Sequence, residues 1–194
     1  MQKICLMLLA FVIVFACVTS NASATQNVGI IIIGGDDFKQ EVYFDRSAKI
    51  FDVKKNPNIS VKVGETVQKN YSDYCKEKSI SNSKPPKLEN LLEFANQNNF
   101  DRVLCLVVKT PGVSNYYEYK EGLLPGSGVR LSQNFTVTIS VNAYLCDREK
   151  ILKTVSITKK KTEDDIHSSK PQVRATRGAF TSCVENIGKV MKGI

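Results

Sequence analysis

Residues 88–108, LENLLEFANQNNFDRVLCLVV, decide the fold of this chain. Apolar residues recur at helical spacing in the first half, which predicts a helix with one apolar stripe. They are Leu88, Leu91, Leu92 and Ala95. Residues 96–99 suit a turn, and every residue from 103 to 108 is apolar, which predicts a strand buried on both faces. Because such a strand needs cover on both sides, it indicates the middle of a layered α/β sheet.

The first 24 residues predict an export signal. Lys3 supplies a positive start, residues 4–18 are apolar throughout, and Ala-Ser-Ala at 22–24 is a small-x-small cleavage site. The apolar run is shorter than the roughly 20 residues that a spanning helix needs. We therefore expect a periplasmic or extracellular protein with one α/β domain over 25–194. In the alternative, Val-Phe-Ala-Cys at 14–17 is a lipoprotein box, which would attach a lipid to Cys17.

The net charge of the exported chain indicates which kinds of partner it meets. The whole chain has a formal net charge of +8, and removing the leader removes only the charge of Lys3, which leaves +7. A basic exported protein meets anionic envelope polymers or membrane head groups rather than nucleic acid. The predicted partner is thus an envelope protein or an anionic envelope polymer. After the leader, no segment of the sequence is long and apolar enough to cross a membrane.

Four cysteines follow the leader, at positions 75, 105, 146 and 183. Export permits disulfides, and four cysteines allow three pairings that sequence alone cannot rank. Cys105 lies inside the predicted buried strand and Cys183 on the apolar stripe of the predicted last helix, which favours free thiols that act as small hydrophobes. There is no CxxC pair and no histidine near a cysteine, so we expect no metal site and no cofactor.

The remaining patterns predict a mixed sheet of about five strands with about four helices. Two strands are central and buried, and an antiparallel hairpin forms the edge. The predicted strands are 28–34, 59–64, 103–108, 135–145 and 151–159. The predicted helices are one somewhere between 41 and 55, 66–78, the one that begins at Leu88, and 174–192. The alternation over 135–145 is strict, so its odd residues should face the core and its even residues should face away. A turn at 147–150 joins the hairpin, and 160–172 is predicted to be a charged loop.

This layout resembles that of several small bacterial envelope domains. The parts that carry the resemblance are 29–35, 88–108 with Asp101, 135–147, 151–158 and 175–191. In this layout the chain is similar to the periplasmic domains of curli-secretion-channel proteins, to penicillin-binding-protein activator lipoproteins and to the amino-terminal domain of the translocation protein that carries a β-propeller. The resemblance implies an assembly or docking module. It transfers no functional residue, because no motif position is specific.

Residues 110–131 are predicted to be an irregular stretch that binds the partner. A long loop without structure in a compact domain is usually functional or disordered. This one holds three of the seven tyrosines, and tyrosine offers apolar area and a hydroxyl at small entropic cost. The predicted partner-binding residues are Tyr116, Tyr117, Tyr119, Leu123 and Leu124. In the alternative, the tyrosines extend the flanking strands into a longer hairpin arm.

Arg174 and Arg177 form a candidate anion site. Positive charge at the start of a helix opposes the macrodipole, and an anion, or Asp164 and Asp165, would relieve that conflict. In the alternative, the helix begins later, near Thr176.

The sequence leaves two hypotheses for function. The first is a non-catalytic exported binding or assembly module, because no catalytic constellation is present and the only histidine, His167, lies in the predicted charged loop. The second is a small envelope hydrolase that uses Asp36 or Asp37 at the carboxyl end of a central strand, where α/β sheets place ligands.

Overall fold

The structure is a computed structural model that describes residues 25–34, 40–51, 53–82, 84–121, 128–167 and 169–191. The predicted leader with Cys17, and the carboxylates Asp36 and Asp37, lie outside the described residues. The strands are β1 (Gln26–Ile33), β2 (Ile59–Lys62), β3 (Arg102–Val108), β4 (Gly112–Glu121), β5 (Val129–Cys146) and β6 (Ile151–Asp164). The α-helices are α1 (Gln40–Ser47), α2 (Glu65–Glu77), α3 (Leu88–Gln97) and α4 (Pro171–Met191), and a 3-10 turn covers Ala48–Phe51.

One mixed sheet joins the strands, which confirms the predicted α/β class. β2, β1 and β3 are parallel neighbours, while β5 is antiparallel to β3, β4 and β6. β6 pairs with one edge of β5 from Asn134 to Cys146. On the opposite edge of β5, β4 pairs with the first half of the strand and β3 pairs with its last residues. The described part thus has six strands instead of about five. Only β6 of the predicted edge hairpin lies at an edge, since β5 has neighbours on both sides.

Two apolar clusters cover the faces of the sheet, as the all-apolar strands predict. On one face, Ile30 of β1 and Leu106 of β3 pack with α1 and α4. On the other, Ile31 and Cys105 pack with α2 and α3, where Phe94 and Tyr71 meet edge to face at 5.2 Å between ring centroids. Both central strands are therefore buried on both faces, and α3 with β3 forms the predicted helix–turn–strand unit.

The strict alternation in β5 is confirmed. Val137, Ile139 and Val141 are fully buried, whereas Ser140 and Asn142 are partly exposed. The side-chain period of two holds because one face of β5 is covered by α4 and the other is only partly covered.

Parts of two predicted loops are strands in the structure. Within 110–131, the described residues 112–121 and 129–131 are not irregular, because β4 pairs with the first half of β5 from Gly112↔Thr138 to Glu121↔Val129. This confirms the alternative in which the tyrosines extend the flanking strands, and tyrosine and valine favour such an extended setting. β6 continues to Asp164, so Lys160 and Lys161 lie in a strand and not in a charged loop. The last helix begins at Pro171, ahead of both predicted starts, at a first position where a missing N–H costs nothing.

All four cysteines are free and buried, which confirms the preference for free thiols. Burial is the largest cause that raises the pKa of Cys146, to about 11, and the pKa of Cys183, also to about 11. Since the thiolate is the reactive form, these side chains behave as inert apolar groups.

Beside the C-terminal half of β1, a glutamine side chain takes the place of a neighbouring strand. β2 ends at Lys62, opposite Gly29, so it does not reach Ile32. Instead, Gln68 of α2 donates from Nε2 to the Ile32 carbonyl (2.7 Å) and accepts the Ile32 N–H at Oε1 (3.1 Å). The side-chain amide thus satisfies both backbone groups of a buried strand residue.

We expect Gln68→Ala to lower the free energy of unfolding by about 1–3 kcal/mol, because two backbone groups lose their partner. Urea unfolding followed by circular dichroism measures this change. Lys69→Ala, at the exposed position next to it, should change stability by less than about 0.5 kcal/mol. Equal losses in the two variants would contradict a specific role for the amide.

Candidate functional site: an exposed tyrosine arm

The most prominent surface feature is an arm made of β4 and residues 129–138 of β5, of which the outer part, with residues 129–133, is two-stranded. The pairing of β5 with β6 ends at Asn134↔Asp164. Beyond that point, residues 129–133 have β4 as their only strand neighbour among the described residues. The arm therefore extends past the body of the sheet.

One face of the arm carries an apolar stripe, which we call the tyrosine stripe. Its members are Val113, Tyr117, Tyr119, Val129 and Leu131, with exposed fractions of 48%, 61%, 78%, 66% and 51%. They share a face because residues paired across an antiparallel ladder point to the same side, and Tyr119 pairs with Leu131. This is also the face of β5 that carries Val137 into the core.

The predicted partner-binding residues divide between two faces. Tyr117 and Tyr119 lie in the tyrosine stripe, whereas Tyr116, which is 47% exposed, lies on the opposite face beside Asn134. Leu123 and Leu124 lie outside the described residues. The sequence prediction missed Val113, Val129 and Leu131. Extending the apolar alternation of β5 backwards from Phe135 through the odd-numbered positions would have identified Leu131 and Val129.

A polar network on the opposite face joins the arm to the end of β6. Lys120 donates from Nζ to Asp164 Oδ2 (2.8 Å), to Asn134 Oδ1 (2.9 Å) and to Glu118 Oε1 (2.8 Å). Asp164 also accepts the backbone N–H of His167 (2.8 Å), and the His167 ring nitrogen Nδ1 lies 2.7 Å from Oδ1. Asn134 is almost fully buried and Asp164 is 9% exposed, whereas the side chains of Lys120 and His167 are partly open to solvent.

The charges of this network stabilise one another. Burial by itself raises the pKa of Asp164, but the hydrogen bonds from Lys120 and from His167 outweigh burial and hold that pKa well below its usual range. The hydrogen bonds to Asp164 and then to Glu118 raise the pKa of Lys120. Both side chains therefore stay charged over the physiological range, and their ion pair links the arm to the end of β6.

The candidate anion residues have partners other than those expected. Arg174 has its Nε 3.9 Å from Oε2 of Glu163, and its Nη1 donates to the His167 carbonyl (3.3 Å). Asp164 is occupied by Lys120, and Asp165 accepts from Ser132 and from the Gln133 N–H. Neither aspartate therefore meets the arginines. Arg177 is exposed, and the anion site stays a prediction.

The polar network contains the one histidine of the chain, His167. The Asp164–His167 contact orients an imidazole, yet within the described ranges no hydroxyl or thiol is hydrogen-bonded to that ring. Across the same ranges, no three His, Cys, Asp or Glu side chains come together in a way that could hold a metal ion. Among the described helices, none has the length and apolar content to cross a membrane.

Comparison with known proteins finds several solved structures that resemble this chain over most of its length. The lipoprotein GNA1162 from Neisseria meningitidis is 15% identical, with a TM-score of 0.43 over 83% of this chain and 96% of that chain. The hypothetical protein CT253 from Chlamydia trachomatis is 10% identical, with a TM-score of 0.41 over 85% and 96%. A minor lipoprotein from Acinetobacter baumannii is 8% identical, with a TM-score of 0.33 over 85% and 91%.

Neither a protein-family model nor a curated protein matches the sequence. Two of these three structures are named lipoproteins. The narrower resemblance to curli-secretion-channel proteins and penicillin-binding-protein activators stays a prediction. Similarity at this level carries no information about a shared ligand or partner.

Proposed function

We propose that this chain is a non-catalytic exported binding or assembly module that docks a protein partner on the tyrosine stripe. The observation that carries the proposal is the stripe itself: five apolar side chains, each at least 48% exposed, on one face of a regular two-stranded arm. Monomeric domains seldom expose contiguous apolar groups of this kind unless they have an interaction to make.

The arm has the physical properties of a binding surface. Its tyrosines are rigid and amphipathic, so they lose little entropy on contact. The Lys120–Asp164 ion pair keeps the arm in place before binding, which lowers the entropic cost of association. A protein partner fits this surface better than an anionic polymer, because the stripe itself contains no cationic side chain. The envelope or extracellular location that the leader predicts is part of the same proposal.

The alternative hydrolase has no support from the described residues. Asp36 and Asp37 lie outside them, and the Asp164–His167 pair has Lys120 bonded to the same carboxylate. An oriented imidazole needs a nucleophile within hydrogen-bond reach to act as its base.

Site-specific photo-crosslinking in the native host tests the proposed function. We expect a photoreactive phenylalanine at Tyr119 to form one covalent adduct of defined mass with an envelope protein. The same group at Thr154, an exposed position of β6, is the control and should form none. Adding Tyr117→Ser and Leu131→Ser should lower the yield at least about tenfold, since aromatic anchors carry much of the energy of an interface.

The measurement is the adduct band on an immunoblot, with its partner identified by mass spectrometry. Equal adducts at both positions, or a yield that the serine variants leave unchanged, would contradict docking on the stripe. The melting temperature of the doubly substituted protein should match that of the parent, because both side chains are more than half exposed.

A further inference from the structure

Four segments meet at the end of the molecule where β1 begins. The N–H of Gln26 donates to the carbonyl of Asn58 (2.7 Å), which places the 53–58 turn beside the start of β1. Lys153 donates from Nζ to the Val190 carbonyl (2.8 Å), so the start of β6 lies against the last turn of α4. That turn also approaches the 3-10 turn, since a Cβ at Gly188 would lie 3.3 Å from the carbonyl oxygen of Ile50.

These segments form a surface that we call the basic pole. Its exposed cations are Arg46, Lys49, Lys54, Lys55, Lys150 and Lys189. Three aliphatic side chains lie among them, Val53, Ile151 and Val190, with exposed fractions of 42%, 38% and 37%. Arg46, Lys49 and Lys189 also line an open groove of about 350 Å³ whose floor includes Ile50 and Val184.

Carboxylates at this pole offset part of its charge. Asp101 is paired with Arg148 (3.1 Å). Asp147 accepts the backbone N–H groups of Glu149 (2.8 Å) and Lys150 (2.7 Å) and stays negatively charged, as do the exposed Glu149 and Glu185. Among the described residues, the exposed cations of the pole outnumber these three carboxylates, so the surface keeps an excess of positive charge.

The chain enters the domain at this same pole. The described residues begin at Thr25, and β1 starts at Gln26. A lipid on Cys17, the alternative to cleavage after Ala24, would be separated from Gln26 by at most about 30 Å of extended chain. The preceding segment thus joins the domain beside these cations and exposed aliphatic side chains.

We propose that the basic pole docks on the surface of an anionic phospholipid bilayer. Cations are attracted to acidic head groups within a Debye length of the membrane. Exposed aliphatic side chains beside them insert at the boundary between head groups and acyl chains, which a soluble anionic polymer does not offer. This inference uses a surface that is separate from the tyrosine stripe.

Docking at the pole would direct the arm away from the membrane. β5 has 18 residues and runs from Val129 at the end of the arm to Cys146 at the pole. At about 3.3 Å per residue, its ends are roughly 60 Å apart. The tyrosine stripe would then stand clear of the bilayer, where a partner can reach it.

Vesicle flotation of the chain from Thr25 onward, which contains every residue of both core clusters, tests the proposal. Vesicles contain phosphatidylcholine with about one-third phosphatidylglycerol, or phosphatidylcholine alone. We expect binding only to the anionic vesicles, and weaker binding as the salt concentration rises. The combined variant Lys49→Gln, Lys54→Gln and Lys189→Gln should weaken it on the order of 100-fold, at about fivefold for each cation near the surface.

A matched variant distinguishes an effect of the basic pole on binding from an effect of the net charge of the chain. Lys69→Gln, Lys109→Gln and Lys160→Gln remove the same number of charges from exposed positions elsewhere, and should weaken binding less than about fivefold. Similar losses in the two triple variants would overturn the proposal, as would equal binding to neutral vesicles or none to anionic ones. Polyglutamate in excess is the competitor. If the chain binds polyglutamate more tightly than it binds the anionic vesicles, and the pole variant weakens that binding as well, the partner is an anionic polymer and the proposal is overturned.

Discussion

Val141→Asp is expected to leave the chain unfolded under conditions in which the parent is fully folded. Val141 is fully buried in the middle of β5, inside the apolar cluster beneath α4. An aspartate there would have to bury an unpaired charge or a neutral carboxyl without a partner, which costs several kcal/mol. Because a domain of this size has about 5–15 kcal/mol of net stability, the loss takes most or all of it.

The neighbouring position supplies the control. Ser140 faces the other side of β5, is partly exposed and contacts the Thr158 hydroxyl at 2.8 Å. Ser140→Asp should therefore cost less than about 1 kcal/mol, because its charge stays hydrated. Thermal unfolding followed by circular dichroism measures both variants. Comparable melting shifts would show that the parity of β5 is wrong.

Asp164→Ala is expected to destabilise the domain by about 2–3 kcal/mol and to loosen the arm. The substitution removes the acceptor of Lys120, of the His167 N–H and of the His167 ring, at a carboxylate that is itself nearly buried. Hydrogen bonds to charged groups are worth more than neutral ones, and their stranded partners cost free energy as well. Hydrogen exchange should show faster exchange at the β4–β5 pairs, while β1 and β3 stay protected.

The same carboxylate predicts how stability depends on pH. The pKa of Asp164 is held below its usual value near 3.8, so its contribution is fully present above that value. It is lost as the pH falls from there towards the lower pKa of the folded state. Asp164→Asn, which cannot titrate, should therefore show a flatter decline of the free energy of unfolding below about pH 4. A decline as steep as that of the parent would assign the effect to other groups.

The pattern of apolar and polar residues was enough to identify the core of this protein from sequence alone. The all-apolar run 103–108 and the alternating run 135–145 could be assigned to buried and half-buried strands, because burial on one or two faces leaves a direct imprint on residue type. The free state of the four cysteines followed in the same way, since Cys105 and Cys183 occupy positions that suit a small hydrophobe.

The sequence left two interpretations of the arm open, an irregular stretch and a hairpin that extends the flanking strands, and the structure shows the hairpin. β4 mixes Val113, Tyr117 and Tyr119 with Ser114 and Glu118, a composition that also suits a loop. Its strand conformation comes from pairing with β5, and that ladder is a tertiary property. The same reason explains why β6 runs to Asp164 through three lysines.

The tertiary structure alone decided which residues act together. Lys120, Asn134 and Asp164 are far apart in sequence and meet because three strands lie in register. The basic pole likewise gathers short charged segments from four places in the chain. The apolar and polar pattern of a segment indicates whether its residues are buried, but it does not specify strand order or register. Strand order and register bring together the residues of the arm and of the basic pole.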